Sequence, residues 1–295
     1  MNLAFNTALT PGWSLVDVPA RAASLGFDAV EVHLPRPTGD DPAAGSILAD
    51  RDLVKLVFEQ AKVRLAGLSA SLQFRGRGHD DAAPAVRRVL DLAKRLDCPL
   101  VRVLDTAVQP GHNHATAALE LAERLIPLAD HAGDAGVTLL IHNALTFRTA
   151  PDMWRLIEQV NHPALAVAWD PLASAVAGED PMVAVPVLNS RIQQVLLRDA
   201  TLSNAFGASD GLTAARQVER QVVALRRIGD GELDLRRTID RLRGIGFAGP
   251  LVVSYPPVLA EGVGPPEDLL SHAIETLTKW TAVQSIKKPV GKAVA

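Results

Sequence analysis

Four short apolar runs in the second half of the chain stop abruptly on polar residues. Val137–Ile141 ends at His142 and Asn143, and Leu165–Trp169 ends at Asp170. Gln193–Leu197 ends at Arg198 and Asp199, and Leu251–Val253 ends at Ser254 and Tyr255. Four earlier runs share the pattern: Leu3–Asn6, Asp28–His33, Val63–Ser71 and Pro99–Leu104. Runs of this length without polar alternation describe strands covered on both faces. Helical patterns fill the gaps, over Ser14–Leu25, Asp50–Ala61, Ala83–Leu96, Ala115–Ala132, Pro151–Val160, Pro181–Asn189 and Leu233–Leu242. Five of the strands follow a helix stop built on glycine, asparagine or aspartate, at Gly26, Asp97, Gly136, Asn161 and Gly246, residues that tolerate the left-handed conformation ending a helix.

Eight strands alternating with helices predict a single (β/α)8 TIM barrel over residues 1–284. A doubly wound open sheet is the alternative. It fits less well, because Thr7–Gly12 after the first strand is not a glycine-rich phosphate loop. Residues 201–228 add an extra segment after the seventh strand, read as a loop (Leu202–Gly211) and an amphipathic helix (Thr213–Arg227) that serves either as a lid or as an ordinary insertion. A C-terminal helix over 266–282 precedes a flexible basic tail, 285–295. In the helix 115–132, Leu119, Ala122, Leu125, Ile126 and Ala129 form the expected inner face, with Pro127 a candidate kink.

Composition narrows the class. The chain has 295 residues, 48% hydrophobic and 21% charged, with a net charge of −3, which suits a globular protein with a large core. With 4% aromatics and no basic stripe, it carries neither the stacking surface nor the charge for nucleic acid. No run approaches the roughly 18 apolar residues of a membrane span, and the amino terminus does not read as a signal peptide. A cytoplasmic protein, with room for a homo-oligomer, is the expectation. Cys98 is the single cysteine. It excludes an intrachain disulfide and reads as a small buried filler.

In barrels of parallel strands the working face lies at the C-terminal strand ends, which puts His142, Asn143, Asp170, Arg198, Ser254 and Tyr255 at the mouth. His33 ends the second strand with Glu31 on the same face. Arg102 and Asp105 point to opposite faces of the fourth strand's end, and Asp105, at its tip, is the expected mouth residue. His112 and His114 have metal-like spacing without a third ligand. Arg75–His79 is a cationic loop, and Gly229–Glu232 reads as a structural turn.

The ordered series Leu25–Val32, Ala135–Asn143, Leu165–Asp170, Val195–Ala200, Gly229–Asp234 and Gly246–Ser254 resembles the xylose-isomerase-like TIM barrels, a superfamily of sugar isomerases and epimerases related to endonuclease IV. The resemblance spans nearly the whole chain. It implies a divalent cation held by Glu, Asp, His and Glu at the ends of strands five to eight, with the carboxylates moving a proton between neighbouring sugar carbons. Aligned on those motifs, the four positions are His142, Asp170, Leu196 and Ser254, so one familiar ligand survives. Hard divalent cations take anionic oxygen ligands, and no metal or other cofactor is expected. A softer ion held by His142 and Asp170 alone would be bound weakly.

Two readings follow. In the first, the barrel acts on or binds a small sugar, keto sugar or sugar acid without the metal. His142 is then the general acid or base, Asp170 orients it, and Arg198 stabilises an enolate or binds an anion, while His33, Asp105, Asn143, Ser254 and Tyr255 contact the ligand. In the second, the barrel is non-catalytic and serves as a ligand-binding or protein-interaction module. An endonuclease-like reading fits poorly, because such relatives need a cluster of metals.

Overall fold

The computed structural model describes residues 1–34, 46–74, 82–106, 113–204, 220–256 and 262–282. The Arg75–His79 loop, His112, the stretch 205–219 and the tail 285–295 lie outside the described residues. The chain begins with β1 (Asn2–Asn6), α1 (Val18–Leu25), β2 (Ala29–Leu34), α2 (Arg51–Ala61), β3 (Arg64–Ala70), α3 (Ala83–Arg95) and β4 (Leu100–Leu104). It continues with α4 (His114–Ala135), β5 (Thr138–His142), α5 (Ala150–Val160), β6 (Leu165–Trp169), α6 (Pro171–Val176), α7 (Pro181–Leu188) and β7 (Ile192–Leu197). After β7 come β8 (Asp199–Asn204), β9 (Arg220–Arg226), α8 (Leu235–Gly244), β10 (Pro250–Val253) and α9 (Pro266–Thr281).

Eight of these strands close into one parallel barrel in the order β1-β10-β7-β6-β5-β4-β3-β2. All eight apolar runs of the sequence are barrel strands. The five helix stops also hold: Gly26, Asp97, Gly136, Asn161 and Gly246 each have positive φ, so the chain reverses there and enters the next strand.

The barrel has two separate apolar regions. The larger lies between strands and helices and includes Val195, Leu197, Leu251 and Val253. Inside the barrel, Ala4, Ala29, Ala66, Leu196 and Val252 form one cluster, and Leu140, Ala166 and Ala168 another. Most of these inner residues are alanines. Period-two alternation along each strand decides which set faces inward. The small inner side chains leave volume for long polar ones above them, and that volume holds the candidate site.

Two sequence expectations are corrected. The face of α4 is shifted: Ala118, Leu121, Ala122, Leu125, Leu128 and Ala129 are buried, whereas Leu119 and Ile126 are 52% and 43% exposed. Both rows satisfy helical spacing, and the row starting at Ala118 gives the continuous stripe against the barrel. The extra segment after β7 does not end in a helix. Arg220–Arg226 is a strand paired antiparallel with Asp199–Asn204, its backbone groups satisfied by a ladder whose partner lies far away in sequence.

Candidate active site

Two ion pairs are stacked in the upper barrel. Glu31, from β2, is fully buried, and its carboxylate accepts from Arg102 Nε at 2.8 Å and Nη2 at 2.7 Å. Asn6 Nδ2 and Gln194 Nε2 also donate to it. The register of β2 against β3 shifts between Val30 and Glu31, a local irregularity of the kind that re-aims a side chain. Burial pushes the Glu31 carboxyl up, but the Arg102 charge and the hydrogen bonds more than offset it, so it is held below the usual range.

Asp170 carries the second pair. It is the N-cap of α6, with Oδ1 accepting from the backbone of Leu172 at 2.9 Å and Ala173 at 3.3 Å. Its Oδ2 accepts from Arg198 Nη2 and lies 3.4 Å from His142 Nε2. Burial opposes ionisation, yet the Arg198 charge and the His142 hydrogen bond hold this carboxyl well below the ordinary range. His142 stands between the two pairs, since Arg102 Nη1 lies 3.4 Å from its Nδ1. A guanidinium only donates, so Nδ1 accepts and the ring proton sits on Nε2, facing Asp170. Burial lowers the His142 pKa and outweighs the Asp170 contact, so the ring is neutral near pH 7.

Arg102, His142, Asp170 and Arg198 line a cavity of about 290 Å³ together with Asn6, His33, Ser69, Ser254 and Leu196. His33 Nδ1 is 3.1 Å from Ser69 Oγ, and burial also lowers its pKa. A larger cavity of about 740 Å³ opens at the other end of the strands, by Phe58, Arg64, Gln193 and Pro250. It lies at the N-terminal strand ends, whereas barrels of parallel strands work at the C-terminal ends, so the mouth is the candidate site. Among the described residues, no group of three or more His, Cys, Asp or Glu is placed to hold a metal ion.

Of the predicted site residues, His33, His142, Asp170, Arg198 and Ser254 meet at this cavity. The choice between Arg102 and Asp105 is reversed. Arg102 lines the mouth, whereas the Asp105 carboxylate accepts from the backbone N–H groups of Leu145, Thr146 and Phe147 at 2.8–2.9 Å. It fixes the loop after β5 and does not line the cavity. Asn143 is likewise structural: its Oδ1 accepts from Asp170 N at 2.7 Å, and its Nδ2 donates to Arg148 O at 3.1 Å. Tyr255 presents its ring to the cavity, but its hydroxyl donates to Arg226 O at 2.8 Å and accepts from Asp199 N at 3.3 Å. His114 pairs with Asp152 at 3.2 Å and does not line the cavity. Sequence reasoning missed the role of Arg102. The signal was there: one carboxylate (Glu31) and one guanidinium (Arg102) stand alone within buried strands, and such charges must find each other.

Just past the end of β7, Asp199 accepts from the backbone of Ala200, Gly229, Gly231 and Leu233 at 2.9–3.2 Å. The 229–232 turn is thus a structural clasp at the base of the β8–β9 ribbon. A Cβ on Gly231 would fall 2.1 Å from Asp199 Oδ1, so only glycine fits.

Comparison with known proteins agrees with this architecture. The family described as xylose isomerase-like TIM barrel matches residues 19–280. No curated protein matches the chain. Among solved structures, D-allulose 3-epimerase from Methylomonas sp. superposes with a TM-score of 0.71 at 16% identity, covering 95% of this chain and 98% of that one. The probable 3-DHS dehydratase AsbF from Bacillus anthracis gives 0.71 at 16% identity, covering 94% and 99%. The IOLI protein, solved with a binding zinc atom, gives 0.70 at 18% identity, covering 95% and 98%. At such identities the likeness is one of fold.

Proposed function

We propose, because the chain belongs to the xylose isomerase-like TIM barrel family of sugar isomerases and epimerases, that its mouth takes a small sugar, keto sugar or sugar acid without a divalent cation. The observation that carries this reading is the Arg198–Asp170 pair. The one surviving carboxylate among the four expected ligand positions is bonded to a guanidinium, and the other three are His142, Leu196 and Ser254. Leucine cannot coordinate, a serine hydroxyl is a weak neutral donor, and a cation would have to displace or repel Arg198. That donor set does not fit the metal. Arg198 and Arg102 supply fixed positive charge in its place, and Ser69, Ser254, Asn6 and His33 supply partners for hydroxyl groups.

If the barrel turns a substrate over, the reaction is proton transfer beside a carbonyl, with neutral His142 as the only imidazole between the two ion pairs. Asp170 orients that ring, and Arg198 stabilises the negative charge that develops on oxygen. Elemental analysis of purified protein, with a screen of aldose–ketose pairs and keto acids, tests this reading. No stoichiometric metal is expected, and activity should be lost in His142→Ala. Turnover unchanged in that variant rejects the role given to His142, and a stoichiometric metal rejects the metal-free site.

A second reading, a binding module without turnover, is favoured by one observation. Both ring nitrogens of His142 are already engaged, by Arg102 and by Asp170, so no free lone pair faces the cavity. Saturable sugar binding without turnover by any panel member would select this reading.

A further inference from the structure

The four charged groups of the upper barrel do not face the cavity equally. The Arg198 side chain is 18% exposed and its partner Asp170 is 0% exposed; Arg102 is 10% exposed and Glu31 is 0% exposed. Glu31 does not line the cavity and Asp170 borders it fully buried, so in each pair the guanidinium is the accessible member. A ligand entering the mouth therefore meets the cationic side of both pairs, although their charges cancel.

The hydrogen-bond inventory points the same way. Glu31 accepts from Arg102, Asn6 and Gln194, and Asp170 accepts from Arg198, His142 and two backbone N–H groups. Neither carboxylate has acceptor capacity left for a ligand. Arg198 has donors to spare: among the described residues its Nη2 is used by Asp170, and its Nε is buried without a partner. The unspent capacity at the mouth is that of a cationic donor, so the complementary ligand brings anionic acceptors.

Resting on the reading of the mouth as a sugar site, we infer that its ligand is a monocarboxylate sugar acid whose carboxylate docks on Arg198. Its hydroxyls face Ser69, Ser254 and His33 on the surrounding strand ends, with Leu196 as the apolar floor. A single negative charge suits this mouth better than a phosphate dianion. Glu31 and Asp170 already neutralise both guanidiniums, and each further charge on the ligand is repelled by those buried carboxylates.

Calorimetric titration of the full chain with D-gluconate and D-glucuronate, against D-glucose, D-glucitol and D-glucose 6-phosphate, tests the inference. The two acids should bind at least about tenfold more tightly than the neutral compounds and the phosphate ester. In the double variant Arg198→Gln/Asp170→Asn, which removes both members of the pair together, that preference should vanish. The comparison on the native chain stands without the variant. Equal affinity for acids and neutral sugars overturns the inference while leaving the sugar site intact. Tighter binding of the phosphate ester overturns the single-charge claim. Binding of no compound in the panel overturns the sugar-site reading itself.

Discussion

Arg198 Nη2 donates to Asp170 Oδ2 at the centre of the barrel mouth, while the other oxygen of the same carboxylate caps α6. One side chain thus anchors a helix and holds a guanidinium over the cavity. The pair ties the shape of the mouth to its charge.

Removing one partner exposes that dependence. Arg198→Gln leaves a buried carboxylate without its cation, which should cost about 3 kcal/mol of stability. The double variant Arg198→Gln/Asp170→Asn should recover most of the loss, because an asparagine still caps the helix. Urea unfolding of the wild type, both single variants and the double variant measures the coupling. Additive losses would argue against a paired charge.

Restoring the ligand set should restore a metal. With His142→Glu, Leu196→His, Arg198→Gln and Ser254→Glu together, the opposing guanidinium is gone and the strand ends regain the acids and imidazole of the expected ligand set. Elemental analysis after dialysis against Mn²⁺ should then show stoichiometric metal in this variant and none in the parent chain. Equal retention in both would mean that the four positions do not define the site.

Asp105 makes stability depend on pH in an unusual direction. Burial pushes its carboxyl up to about 7, against about 4 in an unfolded chain. Between those values the folded state keeps a proton that the unfolded state has released. The contribution of Asp105 is therefore full below about pH 4 and declines as pH rises, by about 1.4 kcal/mol per pH unit at most. His33 and His142, whose pKa values are lowered, act oppositely below about pH 6.5, where acid favours the unfolded chain. The difference between wild type and Asp105→Asn isolates the aspartate. From about pH 5 to about pH 7 the wild type should lose urea stability relative to Asp105→Asn by up to about 1.4 kcal/mol per pH unit. A constant offset would remove Asp105 as the titrating group.

Gly231→Ala should loosen the ribbon. The new methyl group meets Asp199 Oδ1, and relieving that clash breaks bonds that hold Gly229, Gly231 and Leu233. A loss of roughly 1–3 kcal/mol is expected, with faster proteolysis within 199–226. A Tm and digestion pattern like those of the parent would show that Asp199 is not the clasp.

The strand series was legible because parallel strands buried on both faces need unbroken apolar runs, and the helix stops because positive φ selects few residues. Asp105 was misplaced because alternation assigns it and Arg102 to opposite faces without saying which face is inner. The partners that decide it, Glu31 and the backbone of Leu145–Phe147, are far away in sequence. The ribbon was missed for the same reason, since Arg220–Arg226 pairs with Asp199–Asn204 across a long connection. The inner face of α4 was out of phase because Leu119 and Ile126 are as apolar as Leu121 and Leu128. Only the position of the barrel separates the two rows.

Tyr255 is the only tyrosine in the chain. Its ring borders the mouth while its hydroxyl joins Asp199 to Arg226 at the ribbon's base. Isotope-labelled tyrosine would therefore give a single magnetic-resonance signal, free of overlap, from the point where cavity and ribbon meet. The molecule comes with its own reporter, and a ligand arriving in the cavity or a strand shifting in the ribbon would each register on the same line.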